Sequence, residues 1–384
     1  LGEASARLTK QYGGLIRYHG LFNQPHLLIA DPELVQKIMI NRSYDYPKYF
    51  IDKRIAREFL GGDGILLAEG DSHKRQRKMM NPSFAFANVK EMVPTFVQAG
   101  HKLKDIWMKQ IGNNKEERIT ITTVIPKITL DVIGLVAHAY KALVGRNTSF
   151  LFRTVESFFP FIRKLPIPYY TDFYDSIKTI KKVSEKLISE QKNSTIQGKD
   201  LLSLLVQSNE KLPVDEQLTH NELISQVMIL LLAGHETTST ALSWALYFLA
   251  KNPDVQDRLR KEVVELFTDR DHFPTFDEIE QLKYLECVFK ETLRIVPPEY
   301  FNPSRWLDPE IKSKITNSNF IPFSAGPKNC LGMKMAHLEL KSILSVIIRN
   351  FEFKLVEGFT FKKKLIGIAK PIPGVDLLVS KIDY

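Results

Sequence analysis

One helical pattern about 30 residues long constrains this chain more than any other feature. It begins at Thr219-His220-Asn221-Glu222, a capping-box spelling. It runs to Asn252-Pro253, where a helix should stop because the residue before proline is pushed out of the α region. At 1.5 Å per residue such a helix is about 45 Å long and crosses a whole domain. A fold built around it is mainly helical. Halfway along sits Ala233-Gly234-His235-Glu236-Thr237-Thr238. Glycine there costs about 1 kcal/mol relative to alanine. An acid and two hydroxyls in an apolar helix also need a reason. On one reading a threonine hydroxyl bonds back to a carbonyl four residues earlier and bends the helix. On the other, Ala233 and Gly234 leave room for a bound group, and Glu236 and Thr237 handle protons.

The rest of the pattern agrees with mostly helical structure between about 75 and 300. Leu15–Tyr18 and His26–Ile29 flank the turn-prone Asn23-Gln24-Pro25 and predict a hairpin. Asp31-Pro32 then starts a helix, with Asp as N-cap and Pro at the first helical position. A second box, Thr275-Phe276-Asp277-Glu278, predicts one helical stretch through Arg294. Another helix follows Gly332 to about Arg349. The tail from 351 reads as strands with a turn at Pro371-Ile372-Pro373-Gly374. No repeat or linker divides the 384 residues, so a single domain over 1–384 is expected. No run of about 18 apolar residues spans a bilayer. The two cysteines, Cys287 and Cys330, are too few for a disulfide framework.

Cys330 lies in the most informative stretch, Phe323-Ser324-Ala325-Gly326-Pro327-Lys328-Asn329-Cys330-Leu331-Gly332. Two glycines and a proline bracket one cysteine just before a helix. Backbone N–H groups and a helix N-terminus favour the thiolate there. A lone thiolate cannot build a structural zinc site, which takes four ligands. It can be the axial ligand of haem iron. A buried cysteine in a glycine turn is the other reading of the loop alone.

The loop resembles the haem-binding signature of the cytochrome P450 family, F-x-x-G-x-R-x-C-x-G. Phe323, Gly326, Cys330 and Gly332 match, and Lys328 stands in place of the usual arginine. The resemblance implies that Cys330 ligates the iron of haem (iron protoporphyrin IX). It also implies that Lys328 faces a haem propionate, as a point charge without the guanidinium fork. Ala233–Thr238 resembles the family's A-G-x-[DE]-T-T motif, whose acid and first threonine guide protons to bound O2. Thr237 and Glu236 take those places. Branches of the family that only rearrange peroxides often lack this pair, so monooxygenation is expected.

Further motifs follow in family order. Glu291-Thr292-Leu293-Arg294 resembles E-x-x-R, and Phe301-Asn302-Pro303-Ser304-Arg305-Trp306 resembles the later loop F-x-P-x-R-[FW]. Glu291, Arg294 and Arg305 would form a structural framework beneath the haem loop. Read without the family, Glu291 and Arg294 at i, i+3 are an ordinary surface pair. Gly70–Lys78 resembles the W-x-x-x-R helix, with His73 where Trp is commoner. His73 and Arg77 share a face and would donate to propionates.

The sequence departs from the family at one place. Only 14 residues separate Glu291 from Arg305, where the family usually has several dozen carrying strands and part of the substrate pocket. Pro297-Pro298 runs straight into Glu299-Tyr300. The start at Leu1 predicts a trimmed chain, since family members usually carry an N-terminal membrane anchor.

The implied fold is the P450 fold, mainly α with small β-sheets. The implied activity is insertion of one atom of O2 into a lipophilic substrate, with electrons from NADPH through a flavoprotein reductase. The endoplasmic reticulum membrane, cytosolic face, is the expected site. The net charge of +9, with Lys328, Lys334, Lys341, Lys74, Arg75 and Lys78 near the thiolate, would suit an acidic reductase. Nucleic acid is not expected, because no reader motif appears. Phe158, Phe159, Phe161, Tyr169 and Tyr170 would dip into a membrane or cover a substrate entrance. Two alternatives remain: a reductase-independent isomerase or dehydratase on the same fold, and an inactive or haem-free remnant.

Overall fold

The long helix forms where its capping box begins. The Thr219 N–H donates to Glu222 Oε2 (2.8 Å) and the Glu222 N–H to Thr219 Oγ1 (3.2 Å). The computed structural model describes residues 2–20, 23–48, 56–58, 60–133, 159, 161–162, 165, 167–193, 198, 200–294, 300–366 and 368–382. In chain order come α1 (Gly2–Tyr12), β1 (Leu15–His19), β2 (Pro25–Ile29), α2 (Pro32–Gln36) and a π-helical turn, Lys37–Asn41. Then follow α3 (Gly70–Met80), α4 (Phe86–Glu91), α5 (Val93–Ile111), β3 (Glu116–Thr120), α6 (Ile121–Ile133), α7 (Pro168–Asn193), α8 (Leu201–Glu210) and the long α9 (His220–Lys251). The last part holds α10 (Pro253–Leu266), α11 (Phe276–Gln281), α12 (Lys283–Arg294), α13 (Pro309–Ser313), α14 (Met333–Asn350), β4 (Phe351–Leu355), β5 (Lys362–Ile366), β6 (Ile368–Ile372) and β7 (Asp376–Lys381).

Local chemistry explains most starts and stops. Asp31 Oδ1 accepts the N–H groups of Glu33 and Leu34 at 3.0 and 2.9 Å and so caps α2. The Thr275 capping box forms at the start of α11. The expected single stretch from 275 to 294 is corrected here: it breaks at Leu282 into α11 and α12. Glu262 of α10 causes the break to be tolerated. Its carboxylate accepts the Tyr284 and Leu285 N–H groups at 2.6 and 2.9 Å, capping α12 from another helix.

The chain divides into two compact units. The first comprises residues 1–47, 93–128 and 237–384, and the second residues 48–92 and 129–236. The boundary inside α9 falls between Glu236 and Thr237. All the described strands lie in the first unit. β1 and β2 pair antiparallel from Leu15↔Ile29 to His19↔Pro25. β3, β7 and β4 form an antiparallel sheet in that order, and β5 pairs with β6. β3 was not foreseen, because its partner β7 lies some 260 residues further on. Pro371 belongs to β6, opposite Lys363, and the chain turns only after Ile372. A two-stranded ribbon tolerates proline because one edge needs no donor.

The first unit's core packs α5 against α14. Gly100 makes that approach possible, because a Cβ there would sit 3.2 Å from Val346 and 3.3 Å from Ile343. The fully buried Trp107 meets Phe351 and Phe353 edge-on, with centroids at 5.6 and 5.9 Å. In the second unit, α3 and the loop before it are tied to the first turns of α9. Gln76 donates to the Asp63 carbonyl (2.9 Å), Gln226 donates to Gln76 Oε1 (2.7 Å), and Ser225 donates to the Gly61 carbonyl (2.8 Å). Buried polar groups satisfied in this way hold a loop without an apolar plug.

Candidate active site

The thiolate loop is built within the first unit. The Cys330 N–H donates to the Phe323 carbonyl (2.8 Å), closing the loop at its base. The Cys330 side chain is exposed, and α14 begins three residues later with Gly332 at its N-cap. Phe323 is held between Phe289 of α12 (centroids 6.5 Å) and His337 of α14 (5.2 Å). Burial pushes the His337 imidazole below its ordinary pKa, so it packs there as a neutral ring. Gly326 has φ +69, and a Cβ there would fall inside contact distance of the Met39 carbonyl oxygen. Lys328 Nζ lies 5.2 Å from the ring centroid of Tyr44. Gly326→Ala should therefore cost about 2 kcal/mol from backbone strain and displaced contact. A lower urea midpoint would show it; an unchanged midpoint would mean the loop docks with room to spare.

On α9 the oxygen-activation candidates divide by exposure. Ala233 and Thr237, four residues apart and so on one face, are exposed, while Leu231, His235, Thr238 and Ser239 are buried. Gly234 and Glu236 are half-buried. Two small exposed side chains thus stand one turn apart on this helix.

The Glu–Arg framework is fully assembled in the first unit. Glu291 is completely buried. Its carboxylate accepts Arg294 Nε and Nη2 (both 2.8 Å), Arg305 Nε (3.1 Å), the Asn302 N–H (2.9 Å) and Trp306 Nε1 (3.0 Å). Burial pushes the carboxyl up, but the Arg294 hydrogen bonds, the Asn302 N–H and the two guanidinium charges more than offset it. Its pKa ends below the ordinary value. The indole of Trp306 and the Asn302 N–H were not foreseen as members. The motif letter W was the available signal for the first.

His73 and Arg77 belong to α3 in the second unit. His73 is buried, and Arg77 is half-buried with Nε donating to Asn81 Oδ1 (3.0 Å). The expected basic patch is corrected in part. Lys74 pairs with Asp71 (2.9 Å), Lys78 with Glu216 (2.7 Å) and Arg75 with Glu222. Lys341 is buried and paired with Glu280 at 2.7 Å. Lys334 remains exposed.

The family model for cytochrome P450 matches residues 1–298 and 297–379. The chain belongs to the cytochrome P450 family. It is a haem-dependent oxidoreductase of the monooxygenase type, taking O2, a lipophilic substrate and electrons from a redox partner, with the helix-rich P450 fold. Cytochrome P450 monooxygenase 128 of Postia placenta is 27% identical over 458 residues, covering 93% of this chain and 83% of that protein. Ganoderic acid synthetase of Ganoderma lucidum is 25% identical, covering 91% and 83%. Cytochrome P450 72A68 of Medicago truncatula is 24% identical, covering 94% and 80%.

The first of these alignments is longer than the 384 residues of this P450, so the relative carries internal residues that this chain lacks. The family match itself comes in two stretches that meet at 297–298, where the Glu291–Arg305 spacing is short. Residues 295–299 lie outside the described residues, as do Phe158, Pro160, Pro166 and the Tyr169 side chain. The donor set of the first unit fits haem: one exposed soft sulfur on a loop and a cation two residues before it. Among the described residues, no helix is long and apolar enough to cross a membrane.

Proposed function

We propose that Cys330 Sγ would hold the iron of haem and that α9 supplies the proton-handling groups of this P450. The observation that carries the reading is the exposed Cys330 thiol, on a loop closed by its own N–H bond to Phe323 and followed at once by a helix N-terminus. Haem held there would supply the oxygen-activating chemistry. The remaining roles belong to this chain. Phe323, Gly326 and Gly332 shape the loop. Lys328 would hold a carboxylate of the cofactor by a charge-assisted bond, and the family motif gives His73 and Arg77 the same role. Ala233 and Gly234 leave space on the helix face. Thr237 Oγ1 would hold a water by hydrogen bond, and the Glu236 carboxylate would pass protons to that water. Glu291, Arg294 and Arg305 keep the chain beneath the loop in place and do no chemistry.

Cys330→Ser should abolish the red-shifted Soret band of the reduced, carbon-monoxide-bound protein while leaving the fold intact by circular dichroism. A wild-type chain that takes up haem without that band would sink the assignment of Cys330.

The same reading extends to location. The protein works at the cytosolic face of the endoplasmic reticulum membrane, drawing lipophilic substrate from it and electrons from a flavoprotein reductase that uses NADPH. Support comes from Phe159, Phe161 and Leu165, which are exposed apolar side chains close in sequence, and from the net charge of +9. Such a patch binds lipid by area, and cations add attraction to anionic headgroups.

A further inference from the structure

Lys328 departs from the family motif, and the fold has an answer to that departure. Arginine would present a rigid fork to a carboxylate. Lysine offers a point charge on four flexible methylenes and must lose more freedom to hold one position. Three observations bear on how this lysine is held. Its Nζ lies 5.2 Å from the centroid of the Tyr44 ring, within cation–π range. Tyr44 follows the π-helical turn Lys37–Asn41, and π-turns are often kept for a function. The loop's own turn, Gly326–Lys328, rests on that π-turn, with Gly326 against the Met39 carbonyl and the Ile40 Cα. Segment 37–44 is therefore a platform for the loop, and Tyr44 is the part of it that touches the cation. All of these residues lie in the first unit.

We propose that Tyr44 is a positioning residue of the haem cradle: its ring face fixes the Lys328 ammonium and replaces the orientation that an arginine fork would provide. This rests on the reading of the Cys330 loop as the haem site. The ring does not touch the cofactor; it acts through Lys328. The attraction comes from the π-face, which phenylalanine also presents.

The test combines haem transfer to an acceptor globin with amide exchange in the haem-free chain. Tyr44→Leu should speed haem loss several-fold and raise the fraction of carbon monoxide complex lacking the red-shifted Soret band. Tyr44→Phe should match wild type. Lys328→Arg should rescue Tyr44→Leu, because the fork needs no platform. In a Lys328→Met background, Tyr44→Leu should add nothing, as a double-mutant cycle requires of a pair that acts together. In the haem-free chain, Tyr44→Leu should speed exchange at the Cys330 amide several-fold, with Tyr44→Phe unchanged. Wild-type haem loss and exchange in Tyr44→Leu would overturn the proposal. So would an equal effect of Tyr44→Leu with and without Lys328, which would make the ring mere packing. If wild type binds no haem but Cys330 exchange still depends on Tyr44, the haem reading fails while the positioning role stands.

Discussion

Glu291→Ala should lower stability by about 3–5 kcal/mol, the usual cost of removing one partner from a buried ion pair. Domains are stable by only about 5–15 kcal/mol, so the loss is a large share of the total. The reason lies in what is left behind. The carboxylate is fully buried and satisfies two guanidinium groups, an indole N–H and a peptide N–H. Without it, Arg305 and Trp306 have donors with no acceptor, and each stranded donor costs about 1–3 kcal/mol, though not additively. Glu291→Gln should fall between wild type and alanine, since its amide keeps one acceptor but turns N–H groups toward other donors. Urea unfolding of the three proteins decides it; a shift under about 1 kcal/mol for alanine would mean that water enters and replaces the carboxylate. The pH dependence has a definite sign. The folded pKa lies below the ordinary 4.5. The contribution is therefore present above pH 4.5 and is lost as pH falls through the lower folded value.

Glu339→Gln should do the opposite and stabilise the protein at neutral pH. Glu339 lies in α14, nine residues after Cys330, and is 1% exposed. Burial pushes its pKa up from 4.5 to about 8, with a hydrogen bond to Thr238 opposing the shift. Its Oε1 has no hydrogen-bond partner among the described residues. A raised pKa means that the folded state holds the proton more tightly than the unfolded state does. The stabilising share is complete below about pH 4.5 and is lost as pH rises toward 8. At about 1.4 kcal/mol per unit, the loss across that window is of order 4–5 kcal/mol. Glutamine carries no charge and keeps the shape, so its unfolding free energy should lack this slope. The difference between the two pH profiles isolates the group, because all other titrations cancel. Parallel profiles between pH 4.5 and 8 would show that Glu339 reaches water or a counter-charge.

Much of this site was legible because short local motifs carry their own geometry. The Thr219 and Thr275 boxes place helix starts through bonds spanning three residues. The spacing of Glu291 and Arg294 puts them on one face, and the bidentate pair forms as that spacing requires. What escaped depends on distant chain. Leu282 interrupts a helix because Glu262, twenty residues earlier, caps its successor. β3 exists because β7 pairs with it. Lys341 was expected at the surface, yet it is buried against Glu280. Glu339 gave no signal at all, since one acid in a helix reads as a solvated face until its neighbours are known.

The β1–β2 hairpin carries a consequence of its own. Among the described residues it is a sheet of two strands only, and Leu15, Tyr18 and Leu27 are exposed on it. Among the described residues, each strand is paired on one side only, with apolar side chains alongside. Such a ribbon is a template for edge-to-edge addition of another chain. Concentration is then a chemical variable: intermolecular ladders at the hairpin are expected to grow with it, and a charge or proline placed on that edge should act as a gatekeeper against them.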